Sequence, residues 1–256
     1  MDSRHLGAVA DAVGDTPFTV SPYFFVCRGD CAVLVDDATR LGWLVVVPGV
    51  SRADSYILVR RSLAVDELDG LADLVASLES RRLFVPECLV QPVRTRRRVL
   101  LEAEGLCFTC RCVPADFTVA RQVARRLSRA DAAAVAGLPG EATFLHLNYH
   151  TPEALLSQGL AFGIFCGGRL VSLAASLALT PQHCDVGVYT LPRYRNLGYA
   201  TDCVRAILAE SFARGLRPLW RIGIRQRLAI YFAEKLGMEE IGANGREIYL
   251  ELACRG

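Results

Sequence analysis

The chain has 256 residues, 52% of them hydrophobic and 22% charged, with 29 basic against 27 acidic side chains and a formal net charge of +2. This composition excludes a disordered or collagen-like chain, and near-neutrality disfavours a partner as polyanionic as nucleic acid. The length fits one large domain or two smaller ones.

Lys235 is the only lysine among the basic residues, a bias that reads as composition rather than chemistry, although arginine is also the better phosphate clamp. Ten cysteines are the other oddity. The N-terminal stretch MDSRHLGAVADAV sets Asp2, Arg4, His5 and Asp11 around too short an apolar run for an export signal, so a reducing cytoplasmic setting is expected. No window approaches 18 apolar residues, so no membrane span is expected. Cys27 and Cys31, with Cys107, Cys110 and Cys112, superficially supply the four ligands of a zinc site. However, GLCFTCRCV alternates like a strand instead of turning in a knuckle, so the favoured reading is reduced cysteines packed as small hydrophobes, with no metal.

The first half reads as strands YFFVC, CAVLVDD, GWLVVVPG and YILVRR separated by polar turns. A helix follows in VDELDGLADLVASLESRR, with Leu68, Leu71, Leu74, Val75 and Leu78 on one face and Asp66 and Glu67 in its first turn. Then come LFVPECLV and an expected hairpin, RRRVLLEAEGLCFTCRCV, turning at Ala103-Glu104-Gly105. Arg94, Arg96, Arg97 and Arg98 form the densest basic run. With no aromatic residues interleaved, it reads as a solvated strand end rather than an RNA surface.

Around 113–130 the chain becomes Ala- and Arg-rich, and Ser128 with Asp131 three positions on reads as a helix entry. We place a boundary there: residues 1–126 form an N-terminal accessory α+β domain and 127–256 an α/β unit. Helices are expected over 131–137 and 141–159, then a hairpin turning at Gly167-Gly168 and a strand over 184–191 stopped by Pro192. No internal repeat stands out. An amphipathic helix follows, with Val204, Ile207, Leu208 and Phe212 on one face and Gly215 just past its end.

The turn before that helix, Arg195-Asn-Leu-Gly198-Tyr-Ala200, makes an anion site. Amides of residues 196–201 lie unpaired at a helix N-terminus, where the macrodipole favours phosphate, and Gly198 lets a ligand approach the main chain. The turn fits neither the dinucleotide fingerprint nor a P-loop. It resembles another family: Pro192, Tyr194, Arg195, Gly198 and Ala200, as Pro-x-Tyr-Arg-x-x-Gly-x-Ala, look like the pyrophosphate loop of the GNAT superfamily of acyl-CoA N-acyltransferases. GGRLVSLAAS and DVGVYT are similar to that family's third and fourth strands, and Pro218-Leu-Trp220 and AEKLGM to its fifth strand and following helix. The resemblance covers about residues 130–252, and the first half is similar to the leader domain of a long bacterial subgroup.

That resemblance implies a mixed α/β fold with splayed central strands. It assigns pyrophosphate to the amides of Asn196, Leu197, Gly198, Tyr199, Ala200 and Thr201, with charge from Arg193 and Arg195. The main chains of Val188, Tyr189 and Thr190 would hold the pantetheine arm and the thioester oxygen. For a general base it points to Asp185, with His183 beside it and Glu141 as a further candidate.

Members often place an acidic tyrosine four or five residues before the glycine of Lys-Leu-Gly-Phe; here those positions are Ala233 and Phe232, and the nearest hydroxyl is Tyr231, rotated by about 100°. The family's asparagine on the cofactor arm is replaced by Gln226, between Arg225 and Arg227, and Trp220 is followed by Arg221 where the subgroup has aspartate. No Cys-His-Asp arrangement supports a covalent route through Cys184 or Cys203. The reading is an N-acetyltransferase moving acetyl from acetyl-CoA to a primary amine or peptide by direct attack in a ternary complex, in a monomer or homodimer. The alternative is a degenerate, non-catalytic module that binds CoA or a protein.

Overall fold

The computed structural model describes residues 3–36, 41–49, 54–112, 124–242 and 247–253. Along the chain come helices α1 (Ser3–Val13) and α2 (Val20–Arg28), strands β1 (Cys31–Val35), β2 (Trp43–Pro48) and β3 (Asp54–Val59), helix α3 (Val65–Ser77), strand β4 (Arg82–Val85), helix α4 (Glu87–Arg94) and the long strand β5 (Val99–Thr109). After β6 (Arg125–Arg126) follow α5 (Ala132–Ala136), 3₁₀ turns at Gly140–Leu145 and Leu147–Tyr149, α6 (Pro152–Gln158), β7 (Ala161–Cys166), β8 (Arg169–Leu179) and β9 (His183–Thr190). A 3₁₀ turn (Pro192–Tyr194) leads to α7 (Tyr199–Ala213), β10 (Arg217–Gly223), α8 (Arg227–Lys235), β11 (Glu239–Glu240) and β12 (Glu247–Leu252). The fold is mixed α/β, as expected.

The chain divides into two compact units: Met1–Leu106 with Gly223–Gln226 and Gly242–Gly256, and Cys107–Ile222 with Arg227–Ile241. These units are not halves of the sequence. The boundary read at 127 falls inside the second unit, and β12 serves the first.

In the first unit the sheet order is β1-β2-β3-β4-β12-β5. Here β3 and β4 run parallel, and β12 lies antiparallel to both β4 and β5. One core packs α3 and α4 on this sheet through Leu71, Val75, Leu89 and Val93 against Val45, Leu83 and Leu250. The predicted stripe of α3 therefore holds, with Leu68, Leu74 and Leu78 partly buried around it.

Two predicted elements of this unit are corrected. YFFVC is not a strand: it lies in α2, where Pro22 occupies the first turn and needs no amide partner, and Gly29 ends the helix at φ 68 with its N–H on the Phe25 and Val26 carbonyls. Burial of Phe24 and Phe25 overrides their strand preference. The hairpin at Ala103-Glu104-Gly105 does not form either; β5 runs straight through, because β12 pairs with it from Gly105 to Val99. The partner strand comes from the far end of the chain, beyond the reach of local periodicity. The arginine run is structural: Arg94 pairs with Glu102, Arg96 with Asp69 and Asp73, and Arg97 donates to the carbonyls of Leu78 and Ser80.

In the second unit the order is β6-β7-β8-β9-β10, then the Cys107–Thr109 end of β5, with β11 on its far side. The hairpin of β7 and β8 turns as predicted, at Gly167 (φ 56) and Gly168 (φ 78), the left-handed pair that a two-residue turn requires. The single helix expected over 141–159 is broken. His150 adopts φ 68, and Thr151 and Pro152 start α6 afresh, with the Thr151 side chain accepting from the Ala154 amide at 3.2 Å. Fully buried Tyr149 pins the break through its hydroxyl, 3.1 Å from Ser176 Oγ.

The helix entry at Ser128 is as read: its amide donates to Asp131 Oδ2 at 2.9 Å. Arg125 binds the same carboxylate, and these bonds hold the Asp131 carboxyl down to about 2. A depressed carboxylate stabilises the fold above its unfolded value, near 4, and that stability is lost as pH falls towards 2. Asp131→Asn is therefore expected to flatten the acid limb of a stability–pH curve measured by urea unfolding. An unaltered slope between pH 4 and pH 2 would contradict the pairing.

Among the described residues no helix is long and apolar enough to cross a membrane, and no group of three or more His, Cys, Asp and Glu is arranged to hold a metal. The described cysteines are all free thiols. Cys107, Cys110, Cys184 and Cys203 are buried as packing residues, whereas Cys27, Cys88 and Cys112 are exposed, against the expectation. Cys254 lies outside the described residues.

Candidate active site

The site begins where β9 and β10 part. The two strands pair in parallel only over His183–Asp185 with Arg217–Leu219, while β9 stays paired with β8 on its other edge as far as Thr190. The Leu191 amide donates to the Val171 carbonyl at 2.9 Å, so Leu191 faces the β8 side. By the alternation of a strand, the polar groups of Val188 and Thr190 point to the edge that β10 has left. Arg195 confirms the direction by donating Nε to the Thr190 carbonyl at 3.1 Å. Ser172 Oγ lies 2.8 Å from Thr190 Oγ1 and fixes that side chain.

The loop after β9 feeds α7. Asn196 and Gly198 take φ 62 and 88, and this left-handed pair turns the chain sharply into the helix. The first α7 amide with an acceptor inside the helix is that of Asp202, on the Gly198 carbonyl at 3.1 Å. The amides of Tyr199, Ala200 and Thr201 thus stand at an open helix start, where the dipole is positive. A Cβ built on Gly198 would meet nothing within 4 Å, so the approach is clear. Arg193, Arg195, Asn196 and Leu197 are exposed around it, and the rings of Tyr194 and Tyr199 stack with centroids 6.4 Å apart. This arrangement fits a pyrophosphate: orphan amides, no side chain in the way, and two arginines on the rim.

Asp185 lies deeper than the sequence implied. It is 1% exposed, and Arg221 on β10 sends both Nε (3.1 Å) and Nη2 (3.0 Å) to its Oδ2. Burial pushes its carboxyl up, and the Arg221 charge opposes that rise. Asp185 belongs to the last strand pair, with Leu219, and Arg221 lies two residues further along β10, so the ion pair sits at the point of splay. Arg221 was visible in the sequence only as a departure from the related subgroup. The missed signal was that an acid inside an apolar strand needs a cation on its neighbour.

Glu141 is better placed for proton chemistry. Tyr189 lies on the same face of β9 as Asp185, and its hydroxyl donates to Glu141 Oε2 at 3.1 Å. Glu141 itself is exposed. Burial, and then the Glu141 charge, push the Tyr189 phenol up, so it stays protonated.

Tyr231 is 64% exposed on α8, whose inner side carries Ala233 and Phe232, the latter edge-on to Trp220 at 5.5 Å. Gln226, with Arg225, belongs to the first unit. His183 is buried. The thiols of Cys184 and Cys203 are pushed up to about 12 by burial, which disfavours the thiolate of either near neutral pH.

Comparison with known proteins agrees with this architecture. A protein named as an uncharacterized N-acetyltransferase, YdfB of Bacillus subtilis, is 31% identical over 93 residues, which is 36% of this chain and 36% of that relative. The chain thus matches about a third of that curated relative's length. A GCN5-related N-acetyltransferase-like protein from Streptococcus suis superposes with a TM-score of 0.71 at 19% identity, over 98% of this chain and 99% of its own. A Drosophila protein gives 0.71 at 13% identity, over 100% and 98%. Residues 103–243, more than half of the chain, match the GNAT acetyltransferase family, to which this chain belongs.

Proposed function

We propose that the chain transfers an acetyl group from acetyl-CoA to the primary amine of a small molecule or peptide by direct attack in a ternary complex. The observation that carries this reading is the free edge of β9 beside the open start of α7. Pyrophosphate lies on the amides of residues 196–201, between Arg193 and Arg195. The main-chain groups of Val188 and Thr190 hold the pantetheine arm and align the thioester beside them.

The uncharged amine attacks the thioester carbon. Glu141, held by the Tyr189 hydroxyl, takes the proton that the nitrogen sheds as the new C–N bond forms. The C–S bond then breaks and the CoA thiolate leaves with its electron pair. A thiol with a pKa of about 8.5 is a good enough leaving group to take its proton from water, so no tyrosine acid is required and Tyr231 has no part in this scheme.

Release of free thiol from acetyl-CoA, followed against a panel of amines, tests the reading. Glu141→Gln is expected to lower kcat by roughly 10²–10⁴-fold with a smaller change in KM. Tight CoA binding without thiol release for any amine would refute turnover, and full activity in Glu141→Gln would refute the base.

A further inference from the structure

The order of elements in the second unit already exists in the first. Helices α1 and α2, the antiparallel run β1-β2-β3, helix α3, β4 parallel to β3, and α4 repeat as α5 and α6, β7-β8-β9, α7, β10 parallel to β9, and α8. The match extends to register. β3 meets β4 over three pairs, Asp54–Tyr56 with Arg82–Phe84, as β9 meets β10 over three; beyond them β3 runs on to Val59 while β4 ends at Val85.

In the first unit an open cleft of about 200 Å³ lies beside these pairs, lined by Phe18, Thr19, Pro22, Leu58, Phe84 and Pro86 and by Tyr56, which stacks on Phe84 at 4.7 Å. No charged side chain lines it. The Arg60 amide bonds the Gly42 carbonyl at 2.9 Å, so by alternation the polar groups of Ile57 and Val59 face the edge that β4 has left.

The two units differ at the helix start. α3 supplies its own anion: the Glu67 carboxylate accepts from the Ala64 amide at 2.9 Å and from Arg61 at 2.9 and 2.7 Å, with Asp66 beside it in the first turn. A phosphate at this place would meet the Glu67 and Asp66 carboxylates beside the first-turn amides.

We propose that the first unit holds a second ligand site, in the cleft between β3 and β4, for a small neutral amide carrying an aromatic or branched apolar group, and that this site does not take CoA. The apolar lining selects the group, the strand edge at Ile57 and Val59 pairs with the amide, and the self-capped helix excludes phosphates. The volume suits one ring or a short branched chain. This inference does not depend on the acceptor or the base assigned above.

Phenylacetamide is a suitable probe for the full-length chain. Saturation-transfer NMR is expected to show saturable binding that persists in excess acetyl-CoA and in Gly198→Glu. Leu58→Trp, which fills the cavity, should weaken that binding at least tenfold while leaving acetyl-CoA affinity within twofold. If that variant fails to fold, Phe18→Ala at the rim should weaken the probe severalfold. Calorimetry of acetyl-CoA should give one site per chain. No saturable transfer, transfer abolished by acetyl-CoA, probe affinity unchanged in the folded cavity variants, or two acetyl-CoA per chain would each overturn the proposal.

Discussion

Arg221→Met is expected to destabilise the fold by about 3–5 kcal/mol, the usual cost of breaking a buried ion pair by removing one partner. Asp185 is 1% exposed, Arg221 binds its Oδ2 twice, and its Oδ1 has no hydrogen-bond partner. Without the guanidinium the carboxylate has no compensating charge and can only escape by taking up a proton. Burial already raises its pKa, and the loss of Arg221 raises it further.

A carboxyl whose folded pKa lies above its unfolded value favours the fold at low pH, and that advantage is lost as pH rises through the folded value. The variant should therefore lose more stability at pH 8 than at pH 5, as read by urea unfolding at both. Asp185→Asn combined with Arg221→Met should recover much of the loss, because an amide carries no charge to strand. A loss below about 1 kcal/mol at both pH values would mean that the pair does not hold the splay.

Gly198→Glu is expected to weaken acetyl-CoA binding by roughly 100-fold, about 2.7 kcal/mol. Two costs combine. A side chain at φ 88 is strained by about 1–3 kcal/mol, and a carboxylate is placed at the helix start that would receive pyrophosphate. The new Cβ meets nothing within 4 Å, so no steric clash adds to the backbone strain in the free protein. Gly198→Ala carries only the backbone term and should lose about tenfold or less. Calorimetric titration of acetyl-CoA separates the two. An unchanged affinity in Gly198→Glu would remove the pyrophosphate from this loop.

The candidate site was legible where its constraints are local. β9, the turn at Asn196 and Gly198, and α7 are specified by residues within one stretch: alternation, a stop at Pro192, left-handed backbone, and apolar spacing. The Gly167-Gly168 hairpin and the cap at Ser128 follow the same logic. Errors arose where the deciding partner is distant in sequence. YFFVC has the composition of a strand, but its aromatic residues are buried from a helix. Gly105 looks like a turn, yet β12 extends the strand across it. Asp185 reads as an open acid on a strand next to a cleft, and Arg221, 36 positions on, pairs with it in a buried place. The repeated architecture left no sequence repeat, since crossovers and burial can be kept while most side chains change.

By itself the sequence determined the mixed α/β class, the left-handed turn at Asn196 and Gly198 that leads into α7 and, through the residues of that turn, the family. Those properties rest on backbone conformations and dipoles that neighbouring residues set on their own. The tertiary structure decided which carboxylates are free and which are sealed, that the chain folds as two interleaved units rather than two halves, and that the helix start in the first unit is already filled by Glu67. Each of these depends on groups brought together across long sequence separations, where burial and pairing outweigh local preference.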